Sequence, residues 1–329
     1  MVGSMMDRRD LMRLAFAGSA AIAAGGASAQ IAGGDSHINF IVPFSAGSGP
    51  DTIARLVAQN LQQRWKQTIV VDNRVGASGN IGAAAVARAA PDGLTMLVTA
   101  NTLVMNVSLF KNVPYDPVAN FAPVAGLVYS VFACAVHKSL GVTTIAELVA
   151  LAKQKPDEIN FGSPGPGAPH HIALELFKQK TGAAIRHVPY RQLASAMQDL
   201  AGGHIGGMFM PAIQARSLAA AGNVVMLAVS GDKRVSLAPD VPTLSEAGAP
   251  GVDIDNWWAI LAPAGTPAGI IQRYNSAIND MLNDPGVRAK LDAQAIQVIG
   301  GPPERLQKII ANDLVRWAGV IKAAGIRPE

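Results

Sequence analysis

The stretch INFIVPFSAGSGPD, at residues 38–51, decides the fold class of this chain. Residues 38–44 have the apolar, β-branched composition of a buried strand, and a glycine-rich segment follows them directly. A helix is predicted after this segment, over residues 50–65, because apolar side chains recur there at helical spacing: Ile53, Leu56, Val57 and Leu61. A buried strand, a glycine loop and an amphipathic helix form the repeating unit of α/β proteins.

The same unit recurs along the chain and predicts parallel sheets covered by helices on both faces. Further strands are predicted at residues 69–72, 95–99, 159–162, 185–190, 206–210, 224–229 and 257–261. Further helices are predicted at residues 80–90, 145–154, 169–181, 193–201, 212–221, 268–283, 285–294 and 303–323. The apolar run 121–137 is too long for an ordinary strand, so we expect it to carry the chain across a domain boundary.

Composition excludes several classes of protein. Of the 329 residues, 50% are hydrophobic and 15% are charged, which is incompatible with a disordered chain. The net charge of +4 comes without a lysine or arginine block, so no nucleic-acid partner is expected. The single cysteine, Cys134, lies in an apolar run and predicts a buried, inert thiol. The histidines show no metal-ligand spacing and no nucleotide loop motif occurs, so we expect neither a metal nor a cofactor.

Residues 1–29 have the features of a secretory signal peptide. Arg8-Arg9 precedes the apolar stretch 14–24, and Ala27-Ser28-Ala29 forms a cleavage site after Ala29. The paired arginines resemble a twin-arginine signal, while Sec export stays open. The alternative is an amphipathic N-terminal helix.

Three glycine-rich loops, at residues 45–51, 76–82 and 162–170, each join a predicted strand to a predicted helix. Ligands of open α/β sheets bind at the carboxyl ends of strands, and helix starts with free N–H groups suit an anion. We therefore expect a small carboxylate ligand, the alternative being that the loops are only tight turns. A nucleophile elbow is absent, so an exported hydrolase would have to pair Ser78 or Ser163 with a histidine that the sequence does not place.

A series of short motifs runs through the chain: VPFSAG at 42–47, VDNR at 71–74, GASGNIG at 76–82, APDG at 90–93, FGS at 161–163, VPY at 188–190, DVPT at 240–243 and APAGTP at 262–267. Together they resemble the Bug-type extracytoplasmic solute receptors, the binding proteins of tripartite tricarboxylate transporters. The resemblance covers essentially the whole chain after the signal peptide.

This resemblance implies a type II periplasmic binding protein, an α/β fold whose two domains close like a flytrap. It implies mixed, mostly parallel sheets joined by crossing strands, with residues 30–130 and 256–329 in domain 1, residues 131–255 in domain 2 and the ligand cleft between them. The expected role is that of a monomeric periplasmic receptor, not an enzyme, which captures a small organic acid and delivers it to membrane transporter subunits. An exported sensor for a signalling partner is the alternative.

The resemblance also implies the ligand-binding residues, by position in the motifs: Phe44, Gly47, Ser48, Asp51, Ala77, Ser78, Gly79, Thr99, Ala100, Asn101, Ser163, Gly165, His171, Tyr190 and Arg191. Ser48 and Arg191 depart from the usual family pattern. Arg191 is our candidate for binding a second carboxylate or polar tail, with a solvated surface position as its alternative. Whether the pair Trp257-Trp258 stacks on a ligand or packs in the core is left open.

Overall fold

The computed structural model describes residues 37–252 and 256–326, so the predicted signal peptide lies outside the described residues. The elements up to the second sheet are β1 (Ile38–Val42), α1 (Gly49–Trp65), β2 (Ile69–Asn73), α2 (Asn80–Ala87), β3 (Thr95–Ala100), α3 (Thr102–Leu109) and β4 (Phe121–Ser130). Those of the second sheet are β5 (Phe132–His137), α4 (Ile145–Gln154), β6 (Asn160–Ser163), α5 (Pro169–Thr181), β7 (Arg186–Pro189), α6 (Leu193–Gly202), β8 (Gly207–Pro211), α7 (Ala212–Ala220) and β9 (Val224–Val229). The chain then returns through β10 (Asn256–Pro263), α8 (Ala268–Asn283), α9 (Pro285–Asp292), β11 (Ile296–Val298) and α10 (Pro303–Ala323).

The strands form two mixed sheets. The first has the order β11-β4-β10-β3-β1-β2 and the second the order β7-β6-β8-β5-β9. Pairing is parallel between β1 and its neighbours β2 and β3, and between β6 and its neighbours β7 and β8. Every antiparallel pairing within the described ranges involves β4, β5 or β10. The α/β alternation therefore produces the parallel part of each sheet, as predicted, and the strands near the crossing between sheets add the antiparallel part.

Strand β1 is buried on both faces, as the predicted fold requires. Ile38, Phe40 and Val42 pack in the core under α1 and α8, while Ile41 belongs to the core on the opposite face. A strand of a parallel sheet that is covered by helices on both sides has this near-continuous apolar composition. Residues 38–42 thus form an inner strand of the first sheet, between β3 and β2, and its carboxyl end meets the first glycine loop.

The long apolar run 121–137 crosses between the sheets, as predicted. It forms β4 in the first sheet and β5 in the second, and only Val131 separates the two strands. The Val131 N–H donates to the carbonyl of Ala295 at 3.2 Å, and its carbonyl accepts from the Ala212 N–H at 2.9 Å. Strands of the first sheet lie within residues 38–130 and 256–298, and those of the second within 132–229. The predicted domain boundaries fall between these sets, and the division into domains itself stays a prediction.

Helix α10 packs against both halves of the molecule. It contacts α3 of the first half and α5 of the second half. Gln179 Nε2 on α5 donates to the carbonyl of Val320 on α10 at 3.0 Å. Trp257 is fully buried on β10, and its indole N–H donates to Asp313 Oδ2 on α10 at 2.7 Å. Burial raises the pKa of Asp313. Trp257 is therefore a core residue. Across the two described ranges, no helix is both long and apolar enough to span a bilayer.

Candidate ligand-binding site

A cavity of about 380 Å³ lies where loops of the two sheets face each other. This volume is within the range usual for small-molecule sites. Its lining comes from the loops that follow β1 and β2, from α3 and the residue after it, from residues 164–169, and from Ile326, three residues after the end of α10. The lining residues are Pro43, Phe44, Ser45, Val75, Gly76, Ser78, Gly79, Thr102, Asn106, Leu109, Phe110, Pro164, Pro166, Gly167, Ala168, Pro169 and Ile326. None of these residues is charged.

The first glycine loop is closed by the carboxylate of Asp51, which is only 2% exposed. Asp51 Oδ2 accepts from the Gly47 N–H at 2.8 Å and from Arg55 Nε at 3.0 Å, and Oδ1 accepts from Asn73 Nδ2 at 2.9 Å. Burial opposes ionisation of this carboxyl, but the hydrogen bonds from Arg55, Asn73 and Gly47 outweigh it and lower its pKa. The anion at the start of α1 is thus the protein's own, and Asp51 shapes the loop from which Phe44 reaches the cavity.

The second glycine loop adopts a left-handed turn. Four consecutive residues have positive φ: Gly76 at 131°, Ala77 at 46°, Ser78 at 53° and Gly79 at 98°. For L-residues this conformation costs roughly 1–2 kcal/mol each, so Ala77 and Ser78 are strained. The turn closes with a hydrogen bond from the Gly79 N–H to the Gly76 carbonyl at 3.0 Å. The N–H groups of Ala77 and Ser78 belong to the two residues enclosed by this bond. Successive N–H groups in such a turn form a concave site for an anion.

Neighbouring side chains fix this turn in place. Asn106 Nδ2 on α3 donates to the Ser78 carbonyl at 3.0 Å and to Asn80 Oδ1 at 2.7 Å. At Gly82 on α2, an added Cβ would lie 2.9 Å from the Arg74 carbonyl oxygen and 2.8 Å from Pro43 Cβ. Because only a glycine allows this approach, α2 holds the left-handed turn against the first loop.

Helix α3 supplies cavity residues that the sequence did not predict. Thr99, Ala100 and Asn101, the predicted residues of this segment, are at most 3% exposed and lie outside the cavity lining. Thr102 and Asn106, on the helix that begins immediately afterwards, line the cavity instead. Thr102 is the first residue of α3, where backbone N–H groups have no partner within the helix.

The loop 163–169 runs from the last residue of β6 to the first residue of α5. Its backbone N–H groups are few, and those of its glycines and Ala168 are already hydrogen-bonded. Pro164, Pro166 and Pro169 have no N–H. The Gly165 N–H donates to Ser163 Oγ at 3.2 Å, and the Gly167 N–H donates to His171 Nδ1 at 3.1 Å. The Ala168 N–H donates to the Gly165 carbonyl at 3.3 Å. This loop therefore presents aliphatic groups and carbonyl oxygens to the cavity.

A buried polar cluster lies behind that loop. Ser163 Oγ is 2.6 Å from His187 Nε2, and the rings of His187 and His171 stack with centroids 3.7 Å apart. His171 Nε2 is 3.6 Å from Glu175 Oε1, which accepts from Lys178 Nζ at 2.9 Å. Burial, with a smaller contribution from His171, lowers the pKa of His187 to about 4. Ser163 has no accessible surface, whereas its neighbour His187 is half-buried.

Of the predicted ligand-binding residues, Phe44, Ser78 and Gly79 line the cavity. Tyr190 lies behind the loop 163–169, where its hydroxyl donates to Asp199 Oδ2 at 2.6 Å. Arg191 is exposed. The predicted residues outside the lining are Gly47, Ser48, Asp51, Ala77, Thr99, Ala100, Asn101, Ser163, Gly165, His171, Tyr190 and Arg191, and their part in binding stays a prediction.

Comparison with known proteins agrees with this architecture. The family model described as "Tripartite tricarboxylate transporter family receptor" matches residues 53–326. Protein BugT of Bordetella pertussis is 34% identical over 294 residues, which cover 88% of this chain and 90% of that protein.

Solved structures show the same likeness. An R. palustris protein solved with adipate superposes with a TM-score of 0.78 and 34% identity, over 89% of this chain and 98% of that one. The periplasmic binding protein BugD superposes with a TM-score of 0.73 and 30% identity, over 89% and 98%. MatC from Rhodopseudomonas palustris, with bound malate, has a TM-score of 0.73 and 29% identity, over 87% and 98%.

Proposed function

The chain belongs to the tripartite tricarboxylate transporter receptor family, and we propose that it binds a small carboxylate in the cavity between its two sheets. It is a solute-binding receptor with the fold of the periplasmic binding proteins. The observation that carries the carboxylate proposal is the left-handed turn at residues 76–79, whose Ser78 and Gly79 lie on the wall of a cavity lined by uncharged residues. Relatives solved with adipate and with malate support it.

Backbone donors are sufficient to hold such an anion. A hydrogen bond to a charged group contributes about 1.5–3 kcal/mol, and a partly buried helix start contributes up to about 2 kcal/mol. The strain in Ala77 and Ser78 is the expected cost of holding N–H groups ready before the ligand arrives. Ser45, Ser78 and Thr102 also line the cavity, and their hydroxyl groups add uncharged polar atoms to its surface.

The placement of lining residues on both units supports binding by domain closure. We propose that residues 30–130 with 256–329 and residues 131–255 are the two domains, which pivot near Val131. Gly167 of the second unit lies against Leu109 of the first, where an added Cβ would be 2.9 Å from Leu109 Cδ2. Raising a closed state from 1% to 99% requires a preference of about 10⁴-fold, so contacts from both units determine affinity.

Export and delivery complete the proposal. Residues 1–29 direct the chain to the periplasm, where it delivers its ligand to membrane transporter subunits. The chain acts as a receptor and not as an enzyme, which its family and fold support, and the Ser163 hydroxyl beside His187 has no accessible surface.

The test is calorimetric titration with hexanoate, adipate, benzoate and malate. The Gly79→Ala variant places a side chain in the turn at φ 98°, and Gly141→Ala places one at φ 67° in open space away from the cavity. Both variants should lose similar stability, but only Gly79→Ala should weaken carboxylate binding, by tenfold or more. Absence of binding by any carboxylate, or equal affinity in both variants, would contradict the site. Identical scattering profiles with and without ligand would contradict closure.

A further inference from the structure

We infer that the ligand of this chain is a monocarboxylate with an apolar body, such as an aliphatic or aromatic acid of the size of hexanoate or benzoate. The inference rests on the proposed function for the carboxylate end of the ligand. It concerns the end of the ligand opposite to this carboxylate, which must contact the second unit, residues 131–255, when the cavity is occupied.

Charge is the first argument. A dicarboxylate needs a second anion site, formed either by a charged side chain or by further free backbone donors, and no described residue that lines the cavity is charged. The left-handed turn at 76–79 accounts for one carboxylate. Arg191, our sequence-based candidate for a second, is exposed and lies outside the lining. The ionised pair Asp51–Arg55 is committed to closing the first loop.

The second argument is that the backbone N–H groups of the loop 163–169 are not available to a ligand. Its three prolines have no N–H, and the N–H groups of Gly165, Gly167 and Ala168 are bonded within the loop or to His171. The next backbone donors, at His170 and His171, lie in the first turn of α5 and follow Pro169, the last residue of this wall. A second carboxylate against this wall would lose its hydration and gain no hydrogen bond, which is strongly unfavourable. A methylene chain or ring would lose nothing there.

The third argument is that apolar side chains extend this wall. Leu109 and Phe110, at the end of α3, and Ile326, just after α10, join the prolines in the lining. Leu109 packs against Gly167, so the apolar surface is continuous across the two units. Burying a ligand body on such a surface is favourable in proportion to its apolar area.

The experiment compares monocarboxylates with dicarboxylates that share the same six-carbon chain or the same benzene ring. Calorimetry with the full receptor should show hexanoate binding at least tenfold more tightly than adipate, and benzoate more tightly than terephthalate. Tenfold corresponds to about 1.4 kcal/mol. If adipate binds as tightly as hexanoate or more tightly, the inference is wrong while the carboxylate function stands. If none of the four acids binds, the proposed function itself fails.

Substitutions at Pro166 and Arg191 test which part of the protein determines the preference for hexanoate over adipate. Pro166 is exposed and lines the cavity, so Pro166→Lys places an ammonium at the apolar wall without disturbing the core. It should shift the affinity ratio at least fivefold towards adipate, whereas Pro166→Ala, with the same loss of proline and no charge, should retain the preference for hexanoate. An unchanged ratio in Pro166→Lys, with its melting temperature intact, would contradict the assignment of this wall. Loss of adipate binding in Arg191→Ala would instead place a second carboxylate at Arg191 and overturn the inference.

Discussion

Replacing Asp51 with alanine should destabilise the protein by about 2 kcal/mol. Hydrogen bonds to a buried charged group are worth about 1.5–3 kcal/mol, and an acidic residue in the first turn of a helix contributes about 0.3–1 kcal/mol more. Three donors point at Asp51, but Arg55 is 53% exposed and Gly47 is exposed, so water can satisfy both after the substitution. In the Asp51→Ala variant, water does not replace two contributions: the hydrogen bond from Asn73 and the negative charge at the start of α1.

Thermal unfolding at pH 7 measures this loss. At an unfolding entropy of about 2.1 cal/mol/K per residue, 2 kcal/mol corresponds to a decrease in melting temperature of roughly 3 °C for a chain of about 300 residues. Asp72→Ala is the matched control, because the ion pair of Asp72 with Arg74 is 2.7 Å long but half exposed, and its removal should cost at most about 0.5 kcal/mol. Equal melting temperatures for the two variants would refute the reasoning.

The pH dependence gives a second check. Because the hydrogen bonds lower the pKa of Asp51 in the folded state, the unfolded chain takes up this proton first as the pH falls. The stabilisation is therefore complete above the unfolded pKa, about 4, and is lost as the pH falls through the folded value. The difference in melting temperature between the wild type and Asp51→Ala should shrink below pH 4. A constant difference down to pH 3 would show that the carboxylate charge is not responsible.

Three further predictions concern the turn, the half-buried His187 and the core. Gly82→Ala should cost about 1–3 kcal/mol in stability and weaken carboxylate binding in calorimetry, whereas Gly47→Ala, which has open space, should cost only about 1 kcal/mol of strain. Since the folded pKa of His187, about 4, lies below its unfolded value of about 6.5, melting temperature should fall between pH 7 and pH 5, and His187→Asn should flatten that slope. Trp257→Phe should cost about 2–4 kcal/mol by unfolding, because it leaves buried Asp313 without its indole donor, and adding Asp313→Leu should recover part of this loss.

Elements with local signals could be predicted from the sequence. Helix α4 agrees with its predicted range, and its start is set by a capping box between Thr144 and Glu147. Helix α5 also agrees, with a proline at its start and Gly182 in the left-handed conformation after its end. Cys134 is fully buried, as predicted.

Elements that depend on tertiary contacts were missed. Helix α3 follows β3 after a single residue, Asn101, with no glycine or proline between the two elements. Its sequence TLVMNVSL is mostly apolar, and Thr102 and Asn106, which share one face, form only a short polar stripe. Strand β11 has only three residues and exists through its pairing with β4. The carboxyl ends of β1 and β2 were expected to meet at one edge, and Phe44, Ser78 and Gly79 do meet there.

The cavity wall of the second unit shows why the site was harder to predict than the fold. Glycines at residues 162–170 indicate free backbone donors, but the side chains of Ser163 and His171 take up two of these donors in the folded chain. Ile326 reaches the cavity only because α10 crosses both units. Neither feature has a signature within a short window of sequence.

The left-handed turn at 76–79 also bears on how such a receptor diverges. In the proposed binding mode its donors belong to the main chain, so most side-chain substitutions around it should leave the binding of a carboxylate intact. The surface proposed to meet the rest of the ligand is a separate one, formed by residues 164–169 of the other unit together with Leu109, Phe110 and Ile326. Substitutions at these few positions are therefore expected to change the nutrient that a gene duplicate takes up, while the anchoring of the acid is inherited unchanged.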